Sequence, residues 1–250
     1  MLPYPFNYFS SIYGFKKPFA NRKLLTWFQL IFTSIFLISL SMIPVAMQNA
    51  SLKTYPFTTF VDGVFDPVTK EVMDDITENA KIENHQFSYA GQQSTHNSKA
   101  GTVLLGKGNT ALGEKLTLAF EPKQLVISKK GRKLANIQYQ HINQAALKNK
   151  KSLSAAISQD WFQQNRVTVG LFLVLLSGGL LTLNFFIIIL GATFFLYLTK
   201  KSRLFSFKTV KECYHFALNC LGLPTLIAVA AGLLFGQAMT TMITIQNILF

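Results

Sequence analysis

Histidine and cysteine are the residue types in this chain best suited to metal binding or nucleophilic catalysis, and their spacing suits neither. The 250 residues include four histidines and two cysteines. His85, His96 and His141 lie far apart in segments typical of loops and strand edges. No His-Glu-x-x-His, Cys-x-x-Cys or Gly-x-Ser-x-Gly motif occurs, although such spacings bring these groups together for catalysis. We therefore interpret each histidine as a surface side chain or a hydrogen-bonded structural one.

The two cysteines lie in an apolar segment near the carboxyl end. Cys213 and Cys220 are seven residues apart and share a helix face, whereas His215 faces elsewhere. Thiols near the cytoplasmic side are expected to stay reduced, so apolar packing is favoured over metal or redox chemistry. The run GKGNTALGEK at residues 106–115 lacks the Walker spacing that cradles a phosphate. The sequence thus predicts no catalytic residue, no metal and no cofactor, and a protein that is not an enzyme.

Three windows without Asp, Glu, Lys or Arg determine the fold class. They hold 29, 33 and 38 residues, at positions 24–52, 167–199 and 213–250, in a chain that is 50% hydrophobic. Because about 20 apolar helical residues cross a bilayer, this pattern excludes a purely soluble protein. We predict a membrane protein with an α-helical transmembrane bundle and a small α+β extracytoplasmic domain inserted between spans 1 and 2. The predicted spans are residues 24–47, 167–199 and 213–235, followed by the start of an incomplete fourth at 238–250.

Two features of these spans leave alternatives open. The basic start and first apolar run also fit a secretory signal peptide, but the run exceeds the usual length of about 7–15 residues, which favours an uncleaved anchor. The second window would be about 50 Å long as one helix. Tilt, a kink near Ser177-Gly178-Gly179 or an extension above the membrane would accommodate that length.

The positions of the basic residues predict the orientation. Residues 1–23 carry four Lys or Arg and no acid, and residues 200–212 carry five with one Glu. The positive-inside rule assigns both to the cytoplasm, so we expect a multi-pass protein of the cell membrane with residues 48–166 outside. Trp27 and Trp161 would lie near span ends, where indoles favour the interface. The net charge of +13 is therefore spread over compartments, and no nucleic-acid partner is predicted.

Helical periods appear at both ends of the predicted outer domain. Apolar residues recur every three or four positions from Phe60 to Ile76, which predicts an amphipathic helix that breaks at Asp66-Pro67 and restarts there. Ser152 is the predicted N-cap of a closing helix that leads into the membrane.

Strands are predicted in the middle of the same domain. Residues 92–113 have the composition of a loop around a short strand at 102–105. Alternating apolar residues from Leu116 to Phe120 predict a half-buried strand. Two further strands flank the polar turn at residues 129–132, which predicts a hairpin.

The candidate interaction residues fall into a basic group and an amide group. The basic group could bind an anionic surface polymer or lipid head groups, or form a solvated hairpin tip; its members are Lys129, Lys130, Arg132 and Lys133. Residues 148–151 have the same two interpretations. Asn184 and Asn219 lie inside spans, where amides more often join helices than line a pore. Their depths differ by roughly 14 Å, so each is expected to find a different partner.

Four stretches resemble a known family: MLPYPFNYFSSIYGF, TWFQLIFTSIFLISLSMIP, QDWFQQNR and LTKKSRLFSFKTVKECYHFALNCLGLPTLI. They resemble integral membrane proteins of low-GC Gram-positive bacteria linked to maltodextrin utilization, whose conserved domain has no assigned function. The likeness covers nearly the whole chain and is weakest from about His85 to Gly113. It implies a protein encoded beside maltodextrin uptake genes, with a further apolar segment and a polar tail after residue 250. The family has no established catalytic residues, so none is transferred.

These observations predict a non-enzymatic accessory or regulatory membrane protein associated with maltodextrin utilization. The predicted partners are the lipid bilayer and other membrane proteins, with a maltodextrin ABC transporter as the candidate. The alternative is a component of a carbohydrate transport system that itself contacts substrate, which would need a polar cavity between spans. The absence of charged residues from all three windows counts against a self-sufficient transporter. A membrane-embedded hydrolase is third, since an isolated His or Cys pair does not support one.

Overall fold

The chain separates into two compact units. A computed structural model describes residues 2–14, 16–91, 93–106, 114–199, 207–236 and 238–250. Residues 1–51 and 170–250 form one unit, which we call the helical unit, and residues 52–169 form the other, which we call the inserted unit. Most of the glycine-rich run and of the predicted cytoplasmic loop lies outside the described residues, at 107–113 and 200–206, as does Gln237 between the third predicted span and the fourth segment.

Eight helices and seven strands occur in the described ranges. The helices are α1 (Phe6–Ser11), α2 (Lys17–Ala20), α3 (Trp27–Ser51), α4 (Lys70–Asn79), α5 (Lys150–Gln164), α6 (Arg166–Thr199), α7 (Val210–Phe235) and α8 (Met239–Leu249). The strands are β1 (Ala80–Glu83), β2 (Gln86–Tyr89), β3 (Ser94–Asn97), β4 (Thr102–Leu105), β5 (Thr117–Phe120), β6 (Gln124–Lys129) and β7 (Arg132–Gln138). Three helices, α3, α6 and α7, are long and apolar enough to cross a membrane.

Capping side chains set where two long helices begin. Thr26 Oγ1 accepts a hydrogen bond from Gln29 N at 3.3 Å, and Gln29 Oε1 accepts one from Thr26 N at 2.9 Å. This reciprocal capping box starts α3 at Trp27 rather than at the predicted residue 24. Thr209 Oγ1 accepts from Glu212 N at 3.2 Å and starts α7 three residues before the predicted 213. Cap residues thus place charged side chains inside the first turn of α7.

The amino-terminal segment is part of the packed core of the helical unit. Residues of this segment share one apolar cluster with α3, α6 and α7; its fully or nearly fully buried members are Tyr8, Ile12, Leu25, Leu30, Leu37, Phe185, Ile189, Tyr214, Ala217, Leu218 and Leu221. The Tyr8 hydroxyl donates to Leu218 O at 3.2 Å. The second predicted span is one helix, α6, which continues through Ser177, Gly178 and Gly179.

The inserted unit contains two small sheets. β1 and β2 form an antiparallel hairpin. The other five strands form a sheet in the order β3-β4-β5-β6-β7, in which only the β4–β5 pair is parallel. The predicted strand at 102–105 and the predicted hairpin around residues 129–132 are both confirmed. The strand predicted between Leu116 and Phe120 is confirmed as β5, but all four of its residues are buried, because β5 lies in the middle of the sheet. The short, mostly polar strands β1, β2 and β3 were not predicted.

Of three helices predicted for the inserted unit, one is absent and two are present with a different starting residue. No helix runs from Phe60, because turns follow a 3-10 segment at Phe57–Thr59, and Gly63 adopts a left-handed φ of 65° that stops helical propagation. The next helix, α4, starts after the N-cap Thr69 instead of at Pro67. The closing helix α5 starts at Lys150, because Asn149 and not Ser152 is its N-cap: Asn149 Oδ1 accepts from Ser152 N at 2.9 Å.

Trp161 packs in the core of the inserted unit. Its side chain is only 8% exposed. The indole lies 4.6 Å from the Phe57 ring and 4.9 Å from the Phe60 ring, measured between centroids. Aromatic packing within the unit therefore buries this indole, and its position relative to the membrane interface stays a prediction.

Candidate functional site

The predicted basic residues lie at the tip of the β6–β7 hairpin. Lys129, Lys130, Arg132 and Lys133 are all exposed, and no ion pair links them to another described residue. Lys130 and Gly131 form the turn with φ values of 51° and 68°. Both interpretations of this group, an anion-binding surface and a solvated turn, remain predictions.

The two predicted amides have separate surroundings. Asn219 is fully buried, and its Nδ2 donates to Pro18 O at 3.1 Å, which ties α7 to the amino-terminal segment. Asn184 Nδ2 is buried and has no hydrogen-bond partner among the described residues. The two side chains therefore do not pair with each other in the described structure.

Two histidines that are distant in sequence line one polar cleft in the inserted unit. The cleft has a volume of about 620 Å³ and lies between the β1–β2 turn, the β5–β6 turn and the end of β7. Its lining residues are Asn84, His85, Gln86, Lys123, Gln138, Tyr139, Gln140 and His141. Folding therefore brings His85 and His141 to the same surface, although no spacing in the sequence relates them.

A strained turn and one hydrogen bond fix His85. Asn84 and His85 connect β1 to β2 with φ values of 50° and 61°, and a turn of this kind ordinarily has glycine at its second position. His85 Nδ1 lies 2.9 Å from Tyr139 O. Since a carbonyl oxygen only accepts, the proton must be on Nδ1, and the neutral ring presents the Nε2 lone pair elsewhere.

A buried carboxylate fixes His141. Asp160 of α5 is fully buried and accepts from the backbone N of Gln140, His141 and Ile142 at 3.0, 2.8 and 3.3 Å. Its Oδ1 also lies 2.6 Å from His141 Nδ1. The carboxylate therefore orients the imidazole and leaves Nε2 of the neutral ring available as an acceptor.

Tyr139 also lines the cleft. Its side chain is 1% exposed, and its hydroxyl donates to Glu121 O at 2.9 Å. Burial is the main reason that the pKa of this phenol is raised well above its ordinary value, and the nearby Glu121 charge adds to the effect. The phenol therefore stays neutral, and the cleft presents amides, imidazoles and one lysine.

A second polar cluster joins α4 to β2 and β3 around Asp75. Its Oδ1 accepts from Tyr89 Oη at 2.8 Å and Asn79 Nδ2 at 2.9 Å, and its Oδ2 accepts from His96 Nε2 at 2.6 Å and Ser94 Oγ at 3.0 Å. Burial raises the pKa of Asp75, but the four hydrogen bonds outweigh it and lower the pKa to about 2. Ser94 and Asp75 both contact Nε2 of His96, so the ring does not bridge them as in a catalytic triad. We interpret the cluster as a structural connection.

Metal chemistry has little support from side-chain placement. Within the described ranges, no group of three or more His, Cys, Asp or Glu side chains is arranged to hold a metal ion. The cleft offers two imidazoles, whereas zinc sites use at least three protein ligands. Hydrogen bonding to a polar ligand is the chemistry that the cleft can perform.

Comparison with known proteins finds a relative that matches along the whole chain. The chain is 56% identical over 251 aligned positions to the maltodextrose utilization protein MalA of Streptococcus pneumoniae, and the alignment covers 100% of this chain and 92% of the relative. That name states no enzymatic activity. No family model matches, and no solved structure matches. Identity at this level over the full chain shows that the protein belongs to the MalA family of maltodextrose utilization proteins.

Proposed function

We propose that this protein is a non-enzymatic accessory or regulatory component of maltodextrin utilization that acts in the cell membrane. The observation that carries the proposal is the 56% identity to a maltodextrose utilization protein along the whole chain. The three helices long and apolar enough to cross a membrane support the proposed location.

The proposed orientation rests on the distribution of charge. Basic residues dominate positions 1–23 and 200–212, and short basic segments stay in the cytoplasm. The inserted unit is then extracytoplasmic, and its polar cleft faces the side from which external sugars arrive.

Contacts with other membrane proteins are the proposed mode of action, with a maltodextrin ABC transporter as the candidate partner. Helix α6 supports this idea because it exposes large apolar side chains along most of its length; they include Leu171, Leu175, Leu183, Ile187, Leu190 and Phe194. Lipid also covers such apolar surfaces, so identification of a partner is what distinguishes a protein-binding face of α6 from a lipid-facing one.

Crosslinking tests the partner directly. The tagged protein is purified in mild detergent after crosslinking in cells grown on maltodextrin, and in parallel from cells grown on glucose. We expect a transporter membrane subunit to copurify from the maltodextrin culture. Recovery of the protein alone from both cultures would contradict an accessory role through protein contacts.

A second candidate function is a transport component that itself contacts substrate. The cleft of about 620 Å³ in the inserted unit favours contact with substrate, because it offers a polar surface to a sugar; passage of the sugar across the membrane would need a separate polar cavity between the spans. Binding of labelled maltodextrin by the isolated protein, without any transporter subunit, would distinguish this function from a role through protein contacts alone.

A further inference from the structure

We propose that the cleft between the β1–β2 turn and the end of β7 is a binding site for a neutral oligosaccharide, here a maltodextrin. The choice of maltodextrin rests on the proposed function. The choice of a neutral ligand rich in hydroxyl groups rests on the cleft itself.

The charge of the lining argues for a neutral ligand. None of the lining residues is Asp or Glu, and the one fixed positive charge is Lys123. A hard cation requires carboxylate or carbonyl oxygens in numbers that this lining lacks. Tight anion sites use Arg forks or several converging donors, whereas here the negative charge of Asp160 lies directly behind His141. The site therefore suits neither a metal cation nor a phosphate.

The hydrogen-bonding groups of the lining complement sugar hydroxyls. The amides of Asn84, Gln86, Gln138 and Gln140 each offer donors and an acceptor, and a hydroxyl group both donates and accepts. The Nε2 atoms of His85 and His141 add two further hydrogen-bonding groups, which accept when the ring is neutral and donate when it is protonated, because Nδ1 is already engaged. Lys123 adds a donor. All four of the amide side chains belong to exposed residues, so a ligand can reach them.

Part of the lining is fixed before any ligand binds. Both imidazoles are anchored through Nδ1, and Gln138 is held through its backbone by Gln164, which donates to Gln138 O at 2.9 Å. Fixed groups lose less conformational entropy on binding, which improves affinity. The strained φ of 61° at His85 also supports a binding role. A histidine occupies a turn position that favours glycine, and such strain is typical of functional positions.

The volume of the cleft sets the scale of the ligand. Its size of about 620 Å³ falls in the range of about 300–1,000 Å³ that is usual for small-molecule sites. A few sugar units can occupy this space. The cleft is therefore expected to engage a short maltodextrin or a short stretch of a longer one.

Calorimetry on the full chain in lipid nanodiscs tests the proposal, with maltotriose as the probe and cellotriose, inorganic phosphate and Zn²⁺ as comparisons. We expect saturable binding of maltotriose and weaker binding of the other three. Gln140→Ala should weaken binding by about 3- to 10-fold, the cost of one or two hydrogen bonds. Asn136→Ala removes an exposed amide outside the cleft and should leave binding unchanged.

His85→Gly separates a binding role from a folding role. Glycine suits the left-handed turn, so the variant should fold with unchanged or higher thermal stability and still lose maltotriose affinity by about 3-fold or more. Equal affinity in this variant and the wild type would overturn the assignment, as would preferential binding of phosphate or Zn²⁺.

If cleft variants restore maltodextrin growth fully to a deletion strain, the inference fails while the proposed function stands. If deletion has no effect on that growth, the proposed function itself fails.

Discussion

Asp160 accepts three hydrogen bonds from consecutive backbone amides, and asparagine in its place would turn one acceptor atom into a donor facing them. Each lost hydrogen bond to a buried charge costs about 1.5–3 kcal/mol. In Asp160→Asn we expect the amides of Gln140, His141 and Ile142 to exchange hydrogen about 10- to 100-fold faster. Hydrogen exchange with mass spectrometry measures this change. Asp62→Asn alters an exposed carboxylate and is the matched control; equal exchange in both variants would contradict a structural role for Asp160.

Asp75 should make the inserted unit sensitive to acid. Its pKa of about 2 lies below the ordinary value of 3.8 because four hydrogen bonds outweigh the effect of burial. A lowered pKa means that the ionised group stabilises the fold, fully above about pH 4, with loss as the pH falls toward 2. The thermal midpoint of the wild type should therefore fall over that interval more than that of Asp75→Asn. Asp74→Asn alters an exposed carboxylate and is the control, which should keep the pH dependence of the wild type. If the thermal midpoint of Asp75→Asn falls with pH as much as that of the wild type, the Asp75 cluster is not the source of the acid sensitivity.

Single residues also show why the cleft could not be found in the sequence. His85 and His141 have no spacing that relates them, because the β1–β2 turn and the segment after β7 belong to separate sheets, which tertiary contacts such as the His85–Tyr139 hydrogen bond bring together. The one local signal was Asn84-His85 between two short alternating segments, since asparagine at a tight turn predicts a hairpin. The polar composition of β1 and β2 concealed that signal.

At the scale of elements, the contact of α1 with α7 depends on a glycine. A Cβ atom at Gly222 would overlap the Tyr8 hydroxyl and lie 2.7 Å from Ile12 Cγ2. Gly222→Ala should therefore displace the amino-terminal segment, lower thermal stability in detergent and speed tryptic cleavage after Lys16. Gly179→Ala in α6 meets no atom within 4 Å and should change neither property. Equally slow cleavage in both variants would mean that the amino-terminal segment stays packed on α7 without this close contact at Gly222.

The sequence predicted elements well where a single physical requirement determined the structure. Long uncharged windows predicted α3, α6 and α7, because only helices satisfy backbone hydrogen bonds in an apolar environment. Boundaries were less accurate, since Thr26 and Thr209 set them through caps that hydropathy does not reveal. The amphipathic pattern from Phe60 predicted a helix, but Gly63 in a left-handed turn overrode it. Packing of the amino-terminal segment depended on tertiary contacts absent from any local pattern.

For the whole molecule, the charge pattern predicts which side of the membrane each segment faces. With Cys213 and Cys220 replaced, a cysteine at Lys130 should react with an impermeant thiol reagent on intact cells. A cysteine at Lys208 should react only after permeabilisation, because it lies in the basic segment assigned to the cytoplasm. Both native positions are exposed, so access to reagent depends on the membrane alone. Labelling at Lys208 in intact cells would reverse the proposed orientation.

Uptake of labelled maltodextrin by cells that lack this protein tests its role most directly. Because the chain belongs to a family named for maltodextrose utilization, we predict that deletion slows maltodextrin uptake and growth while growth on glucose is unchanged. Expression of the wild-type chain should restore both properties. Unchanged maltodextrin uptake in the deletion strain would contradict the account.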